Sequence, residues 1–335
     1  MDSAHLVALT GALGDRTVAV IGDVVADEFV YGRVARVSRE APVLILEYDS
    51  TEIVPGGASN AANNVAALGG RALLAAVVGR DDAARRLIGT LHKRVDSRRV
   101  LRAAGHSTPL KTRILAGGIH SPKQQVVRID RGVSKPVNAS SRKAFEKAAM
   151  DLVLRADAVL VSDYGSGLVT PALVSRLRTT LKRAGHPVPI LLDTRYRLLE
   201  YSGLTACTPN ESEVEQALGV HIDDNARVLE QAGRAVLDRT RMDAVLITRG
   251  SRGMALFVRD LPTIHIPIFG TDSIVDVTGA GDTVVATMAL ALGAGATFED
   301  AAHLANIAGG LVVMKRGTAT VSSTELRNAI KNNRG

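Results

Sequence analysis

Short runs rich in Val, Ile and Leu alternate along the chain with longer segments of helical periodicity. The runs fall at 17–23, 71–79, 157–163, 188–193 and 243–250. Each is nearly continuous in apolar residues and too short for a buried helix, which predicts strands of a parallel sheet covered on both faces. Between them, 141–155, 171–184, 211–218, 225–239 and 298–313 repeat apolar residues every three or four positions and predict the covering helices. The fold class expected is α/β.

Two stretches break this alternation, at about 28–52 and about 108–130. Both alternate apolar with polar residues and carry turn signals, which predicts antiparallel strands inserted into the βαβ succession. Such strands suit a small β lid closing over the carboxyl edge of the main sheet, where open α/β folds bind ligands. No linker, low-complexity tract or repeat interrupts the chain, so residues 1–335 read as one domain plus the lid.

Composition narrows the function. A chain of 335 residues that is 46% hydrophobic builds a sizeable core. Cys207 is the single cysteine, which excludes an internal disulfide and a zinc site of several thiolates, and points to a reducing cytoplasm. No apolar run reaches the roughly 20 residues of a membrane span, and the first residues lack a leader pattern, so no membrane partner is expected. The net charge of +7 suits an anionic small substrate as well as nucleic acid. Aromatics at 3% and no Trp weaken any base-stacking platform. The densest basic stretch, 92–102, includes an acid and reads as a solvated face beside a helix, so no nucleic-acid partner is expected.

The most informative segment runs from Asp272 to Gly295. Asp276 is expected to end a short strand, Gly279, Ala280 and Gly281 form a turn of small residues, and Asp282 falls in the first turn of an apolar helix. A glycine-rich turn at a helix N-terminus offers unpaired N–H groups to an anion, and a carboxylate beside it can take a proton from a hydroxyl attacking phosphorus. The same residues also read as a tight turn followed by a favourable first-turn acid. A second segment, Val54 to Asp81, joins Gly56 and Gly57 to Asn60 and Asn64, two amides on one helix face. With Asp23 and Asp27 where a strand gives way to the lid, these residues suit a polyol, or else serve as caps.

Together these segments resemble the ribokinase/PfkB family of carbohydrate kinases, from about residue 14 to the C-terminus. The resemblance rests on PGGASNAANNVAALGG (55–70), DVTGAGDTVVATMA (276–289) and CTPNESE (207–213). It implies a ribokinase-like, doubly wound, mostly parallel sheet flanked by helices, with ATP and Mg²⁺ as cofactors. Asp282 would be the base and the Gly279–Ala280–Gly281 amides the anion hole. Asn210 and Glu213 would organise Mg²⁺ and phosphate through water. Thr248, Gly250, Gly253, Asn306 and Gly309 would line the nucleotide site, Asp27, Gly57 and Asn60 would hold the sugar, and Asp276 would serve a K⁺ ion.

Within that family, GDVVADEFVYGRVARVSREAPV, KQQVVRID, VSDYGSGLVT and KRGTATVS are similar to the branch that phosphorylates the anomeric hydroxyl of D-glycero-D-manno-heptose 7-phosphate. A sugar phosphate and ATP are then the partners, with a homodimer through the lid strands. Arg33, Arg36, Arg39, Lys111, Arg113 and Arg128 lie in or beside the lid, and two or three of them are expected to grip the substrate phosphate. The chain departs from the branch after Asp193, where Thr194–Arg195 replaces Pro–Lys, and Arg195 would either supply the missing cation or cap a nearby loop and point to solvent. The alternatives are a family member acting on another sugar or sugar phosphate, and a non-catalytic sugar-phosphate-binding protein.

Overall fold

The computed structural model describes residues 3–117, 123–132, 136–270, 276–315 and 317–332. In chain order its strands are β1 (Thr17–Gly22), β2 (Val24–Val37), β3 (Leu44–Gly57), β4 (Arg71–Val78), β5 (Val95–Arg102), β6 (Leu110–Gly117), β7 (Gln124–Arg131), β8 (Ala158–Asp163), β9 (Ile190–Thr194), β10 (Ala206–Cys207), β11 (Ala244–Thr248), β12 (Met254–Val258) and β13 (Ile264–Ile266). The helices are α1 (Ser3–Ala12), α2 (Ala58–Ala67), α3 (Asp82–Gly89), α4 (Ala139–Val153), α5 (Pro171–Arg183), α6 (Glu211–Leu218), α7 (Ala226–Thr240), α8 (Ala280–Gly293), α9 (Phe298–Val313) and α10 (Ser323–Asn332).

Nine strands form the main sheet in the order β13-β12-β11-β10-β9-β8-β1-β4-β5. From β5 to β11 every neighbouring pair is parallel, and β12 and β13 close one edge antiparallel. Successive residues of a strand face opposite sides, so β1 feeds two cores. Val18 and Val20 pack with α1, α2, α3, α8, α9 and α10, whereas Ala19 and Ile21 pack with α4, α5, α6 and α7. The doubly wound α/β fold expected from the sequence is therefore present. Its predicted strands and helices are found within a few residues of their expected limits.

Local chemistry explains several boundaries. Asn138 accepts from Ser141 N–H and Thr170 from Leu173 N–H, capping α4 and α5. In α6, Asn210 accepts from Glu213 N–H while the Glu213 carboxylate accepts from Asn210 N–H, a reciprocal capping box. α8 differs from the other helices: residues Asp282–Ala291 are all buried, because this helix packs between α2, α9 and the sheet rather than against solvent.

The lid is a second sheet, ordered β3-β2-β6-β7. Its first pair of strands lies within 24–57, longer than the 28–52 expected because β2 starts two residues after β1 ends, and its second pair lies within 110–131, close to the 108–130 expected. β2–β3 and β6–β7 are antiparallel as expected, but β2 pairs with β6 in parallel. That pairing joins segments far apart in sequence, so local alternation carries no trace of it. The basic stretch expected beside a helix is in fact mostly β5, an edge strand whose half-exposed polar residues hid its period. The short strand expected to end at Asp276 lies in 271–275, outside the described residues.

Candidate active site

Five strands of the main sheet deliver the site from their carboxyl ends. β1 leads into Asp23, β8 into Tyr164, β9 into Arg195, β10 into Asn210, and β11 into Gly250. A cleft of about 500 Å³ opens there, walled by the lid, by α8 and by α9. A second recess of about 230 Å³ adjoins it, and the two share Lys111, Arg128, Tyr164 and Arg195.

Asp282 lies at one wall. Gly279 caps α8 at φ 80°, a left-handed conformation that Gly adopts without strain, and the first intrahelical bond runs from Thr283 N–H to Gly279 O. The N–H groups of Gly281 and Asp282 therefore have no acceptor inside the helix. Ala280 does not join them as expected: its N–H donates to Val277 O at 3.2 Å, because the turn into α8 closes on itself. The anion cradle is narrower than the motif suggested.

The Asp282 carboxylate is fixed on both oxygens. Asn60 Nδ2 donates to Oδ2 at 2.7 Å, and the Tyr164 hydroxyl donates to Oδ1 at 3.2 Å. Burial is the largest influence on its proton affinity and pushes the pKa up from 3.8 to about 6, against the lowering effect of these two hydrogen bonds and of Arg195. Any step in which Asp282 takes a proton must then slow as pH falls through about 6. A kcat/KM profile is expected to show that acid limb, and a profile flat to pH 5 contradicts the assignment.

Asn64 is corrected from the polyol-binding role. It is fully buried, its amide donates to Asn60 O and Oδ1, and its own Oδ1 accepts from the Thr283 hydroxyl at 2.9 Å. The two amides on one helix face thus stitch α2 to α8 and aim Asn60. Asn60, Asp27, Gly56 and Gly57 also stand behind the cleft wall rather than on it. The space above Gly56 belongs to the Asp27 carboxylate, and a Cβ on Gly57 would meet Asp23 O at 2.5 Å. These glycines admit the protein's own groups.

The lid contributes cations. Residues two apart share a strand face, so Lys111 and Arg113 of β6 point the same way, and the register sets Lys111 opposite Asp130 and Arg113 opposite Arg128. Arg113 pairs with Asp27, and Arg128 Nε lies 2.9 Å from Asp130 Oδ1. Lys111 stands 5.9 Å from the Tyr164 ring centre, and the Arg195 guanidinium 4.6 Å from it. Burial, then Arg195, pulls the Lys111 pKa down. Arg33 instead pairs with Asp49 and Glu47, and Arg33, Arg36 and Arg39 take no part in lining the cleft. Of the six lid cations singled out in the sequence, three reach the site.

The cleft also holds acids. Asp193, Glu213 and Asp282 line it together, and burial raises the pKa of all three, with Asp282 and Glu213 adding to the rise at Asp193 and Arg195 opposing it. Among the described residues the buried Thr208 hydroxyl has no hydrogen-bond partner. Among the described residues no cluster of three His, Cys, Asp or Glu side chains forms a metal cage. Separated carboxylates and a free hydroxyl instead suit a divalent cation that keeps its water and rests on phosphates. Thr248, Gly250, Gly253, Asn306 and Gly309 line the same cleft with Met254, Ile268 and Val313. The Asn306 amide donates to Pro267 O at 2.9 Å and so holds the 267–269 segment in place. Asp276 accepts from Thr278 N–H and Gly317 N–H, and its neighbours 271–275 lie outside the described residues.

Sequence reasoning gave no site role to Tyr164 or Asp163, and it assigned Asp23 to a polyol or a cap, whereas Asp23 accepts from Tyr164 N–H and Ser166. The signal was the DYGSG sequence at the carboxyl end of an apolar run, where α/β sheets place their ligands.

The family model for the pfkB family carbohydrate kinases matches residues 15–325. Bifunctional protein HldE of Caulobacter vibrioides is 42% identical over 97% of this chain, which covers 65% of that protein. Bifunctional protein HldE of Geobacter metallireducens is 38% identical over 97% of this chain, again covering 65% of the relative. The chain thus spans about two thirds of these relatives' length. Among solved structures, Arabidopsis thaliana ribokinase complexed with ribose and ATP superposes with a TM-score of 0.71 at 20% identity, over 95% of this chain and 99% of that one. Escherichia coli phosphofructokinase-2 in complex with fructose-6-phosphate gives 0.69 at 16%, over 95% and 98%.

Proposed function

Since this chain belongs to the pfkB family of carbohydrate kinases, we propose that it transfers the γ-phosphoryl group of ATP to the anomeric hydroxyl of D-glycero-D-manno-heptose 7-phosphate. The observation that carries this reading is the lining of one cleft. Asp282 at a helix N-terminus, the acids Asp193 and Glu213, apolar residues, and the cations Lys111, Arg113, Arg128 and Arg195 all line it. A sugar phosphate laid along it would turn its anionic end to the cations and its anomeric end to Asp282. The match to the two HldE proteins and the heptose-kinase motifs in the sequence support the same substrate class.

In the mechanism we propose, Asp282 accepts the proton of the attacking hydroxyl, which makes the oxygen a better nucleophile as the bond to phosphorus forms. The N–H groups of Gly281 and Asp282, aided by the helix dipole, face the negative charge that develops on the transferred group. Asn60 and Tyr164 keep both carboxylate oxygens oriented. Glu213 and Asp193, with Asn210 and Thr208 beside them, would hold hydrated Mg²⁺, whose charge neutralises the phosphates and offsets the crowding of acids. The K⁺ ion expected near Asp276 stays part of the proposal, whereas Asp27 and Asn60, which stand behind the cleft wall, would act on the sugar through Arg113 and Asp282, the side chains they bond. A second copy of the chain is the proposed protein partner. Val127 and Ile129 alternate with Arg128 and Asp130 along β7 and are exposed on the lid's outer face, where Tyr48, Leu44 and Val37 are exposed too. Among the described residues no helix is long and apolar enough to cross a membrane, which fits the cytoplasmic setting proposed.

An ATP assay over heptose, hexose and pentose phosphates and their unphosphorylated sugars tests this. Heptose 7-phosphate should give the 1,7-bisphosphate with the highest kcat/KM. Preference for another sugar phosphate would favour the alternative that the Thr194–Arg195 departure leaves open, and phosphorylation of unphosphorylated sugars alone would remove the anion argument. Arg195→Ala should raise KM for the sugar phosphate about 10–100-fold, the worth of a charged hydrogen bond, with a smaller change in kcat. An unchanged KM assigns Arg195 to structure.

A further inference from the structure

We infer that Tyr164 is the positioning residue of the general base: its hydroxyl orients the Asp282 carboxylate, while its ring carries the position of Arg195 to that carboxylate. The inference rests on the proposed role of Asp282 and goes beyond it by tying the base to the cations that line the cleft.

The loop after β8 is held by two buried carboxylates. Tyr164 N–H and Ser166 N–H donate to Asp23 Oδ2 at 2.9 and 3.3 Å, and the Ser166 hydroxyl donates to Asp23 Oδ1 at 2.5 Å. Gly165 N–H donates to Asp163 Oδ1 at 3.0 Å, and the other oxygen of Asp163 accepts from Thr194, Arg197 and Tyr201. Asp23 and Asp163 are both buried. Two buried carboxylates satisfied in this way fix a backbone that a surface loop would leave mobile, and burying them unpaired would be costly. Nothing in the phosphoryl-transfer chemistry asks for that loop by itself. What it holds still is Tyr164.

From that mount the side chain bridges two parts of the site. The hydroxyl reaches Asp282 Oδ1 at 3.2 Å, and the ring lies under the Arg195 guanidinium at 4.6 Å, with the Lys111 ammonium 5.9 Å away. A cation over an aromatic face is attracted to it, and an anion drawn to Arg195 competes for the same charge. Substrate phosphate at Arg195 is therefore felt at the ring whose hydroxyl aims the base. Groups facing Asp282 from the packed elements are Asn60 on α2, Asp27 on β2, Tyr164 after β8, and Asp193 and Arg195 at the end of β9. Of these, Asn60, Tyr164 and Arg195 favour the ionised carboxylate, and Asp27 opposes it.

Tyr164→Phe keeps the ring and removes the donor. Its expected effects are an acid limb of kcat/KM displaced to higher pH and a kcat about tenfold lower near neutral pH. KM for ATP should stay unchanged, and the thermal midpoint at pH 8 should fall slightly, because a higher Asp282 pKa makes the buried carboxylate costlier. Site-specific 3-fluorotyrosine at 164, a near-isosteric and stronger donor, should displace the limb the opposite way, and this arm stands even where the Phe variant folds poorly. Profiles that superpose on the parent in both variants overturn the inference. If Asp282→Asn keeps turnover, the underlying reading fails. If it loses turnover while both Tyr164 profiles are unmoved, only the present inference fails.

Discussion

Asp282→Asn is expected to lower turnover by about 10²–10⁴-fold while leaving ATP affinity nearly intact, since it keeps the shape of the side chain and removes the proton acceptor. The stability of this variant separates chemistry from folding. A carboxyl whose pKa rises from 3.8 to about 6 on folding adds stability at pH below 3.8, and that contribution is lost as pH climbs through 6. At pH 8 the buried carboxylate is a net cost, on the order of 1–3 kcal/mol. Asn removes that cost, offset in part by leaving one of the two donors, Asn60 Nδ2 or the Tyr164 hydroxyl, poorly matched. The melting temperature at pH 8 should therefore match or exceed the parent's. A large fall in melting temperature together with lost turnover would make Asp282 a structural residue, and full turnover would end the mechanism.

The second large effect is expected for Gly279→Ala. The residue sits at φ 80°, which costs an L side chain about 1–2 kcal/mol. A Cβ there would also stand 2.6 Å from Asn60 Nδ2 and 2.9 Å from Thr318 Cγ2. Asn60 must then swing away from Asp282, and the first turn of α8 must shift with its free N–H groups. Losing one preorganised donor in an anion site costs about 10²–10³-fold in kcat, and a loss of that size is expected here. Isothermal titration with ATP and a melting curve would accompany the rate measurement. A variant that binds, folds and turns over like the parent would show that the cradle tolerates displacement and is not the anion site.

The parallel core was legible because its strands are buried on both faces, and a strand without a polar side has no disguise: Val18 to Ile21 and Ala158 to Val161 are fully buried. β5 was not, since Asp96, Ser97, Arg98 and Arg99 bring polar residues to an edge. β10, two residues long, leaves too little pattern to read. The position of Asp282, the proposed base, was legible as a turn at a helix N-terminus. Which glycine faced a ligand and which faced the protein was not, because Gly56 and Gly57 are filled by Asp27 and Asp23, contacts set by the third dimension alone. Tyr164 escaped for the same reason. A single Tyr after a strand shows nothing of the helix 118 residues further on whose acid it touches.

The burial of α8 has a consequence for synthesis. During translation β1, β4 and α2 leave the ribosome long before residues 280–332, yet the face carrying Val18, Val20, Leu74 and Val65 is completed only with α8, α9 and α10. The nascent chain therefore holds that apolar surface uncovered through most of its elongation, when such surfaces are prone to aggregate. Asp282 arrives on the first of those helices. A chain cut short before α8 would lack both the cover of this face and the proposed base.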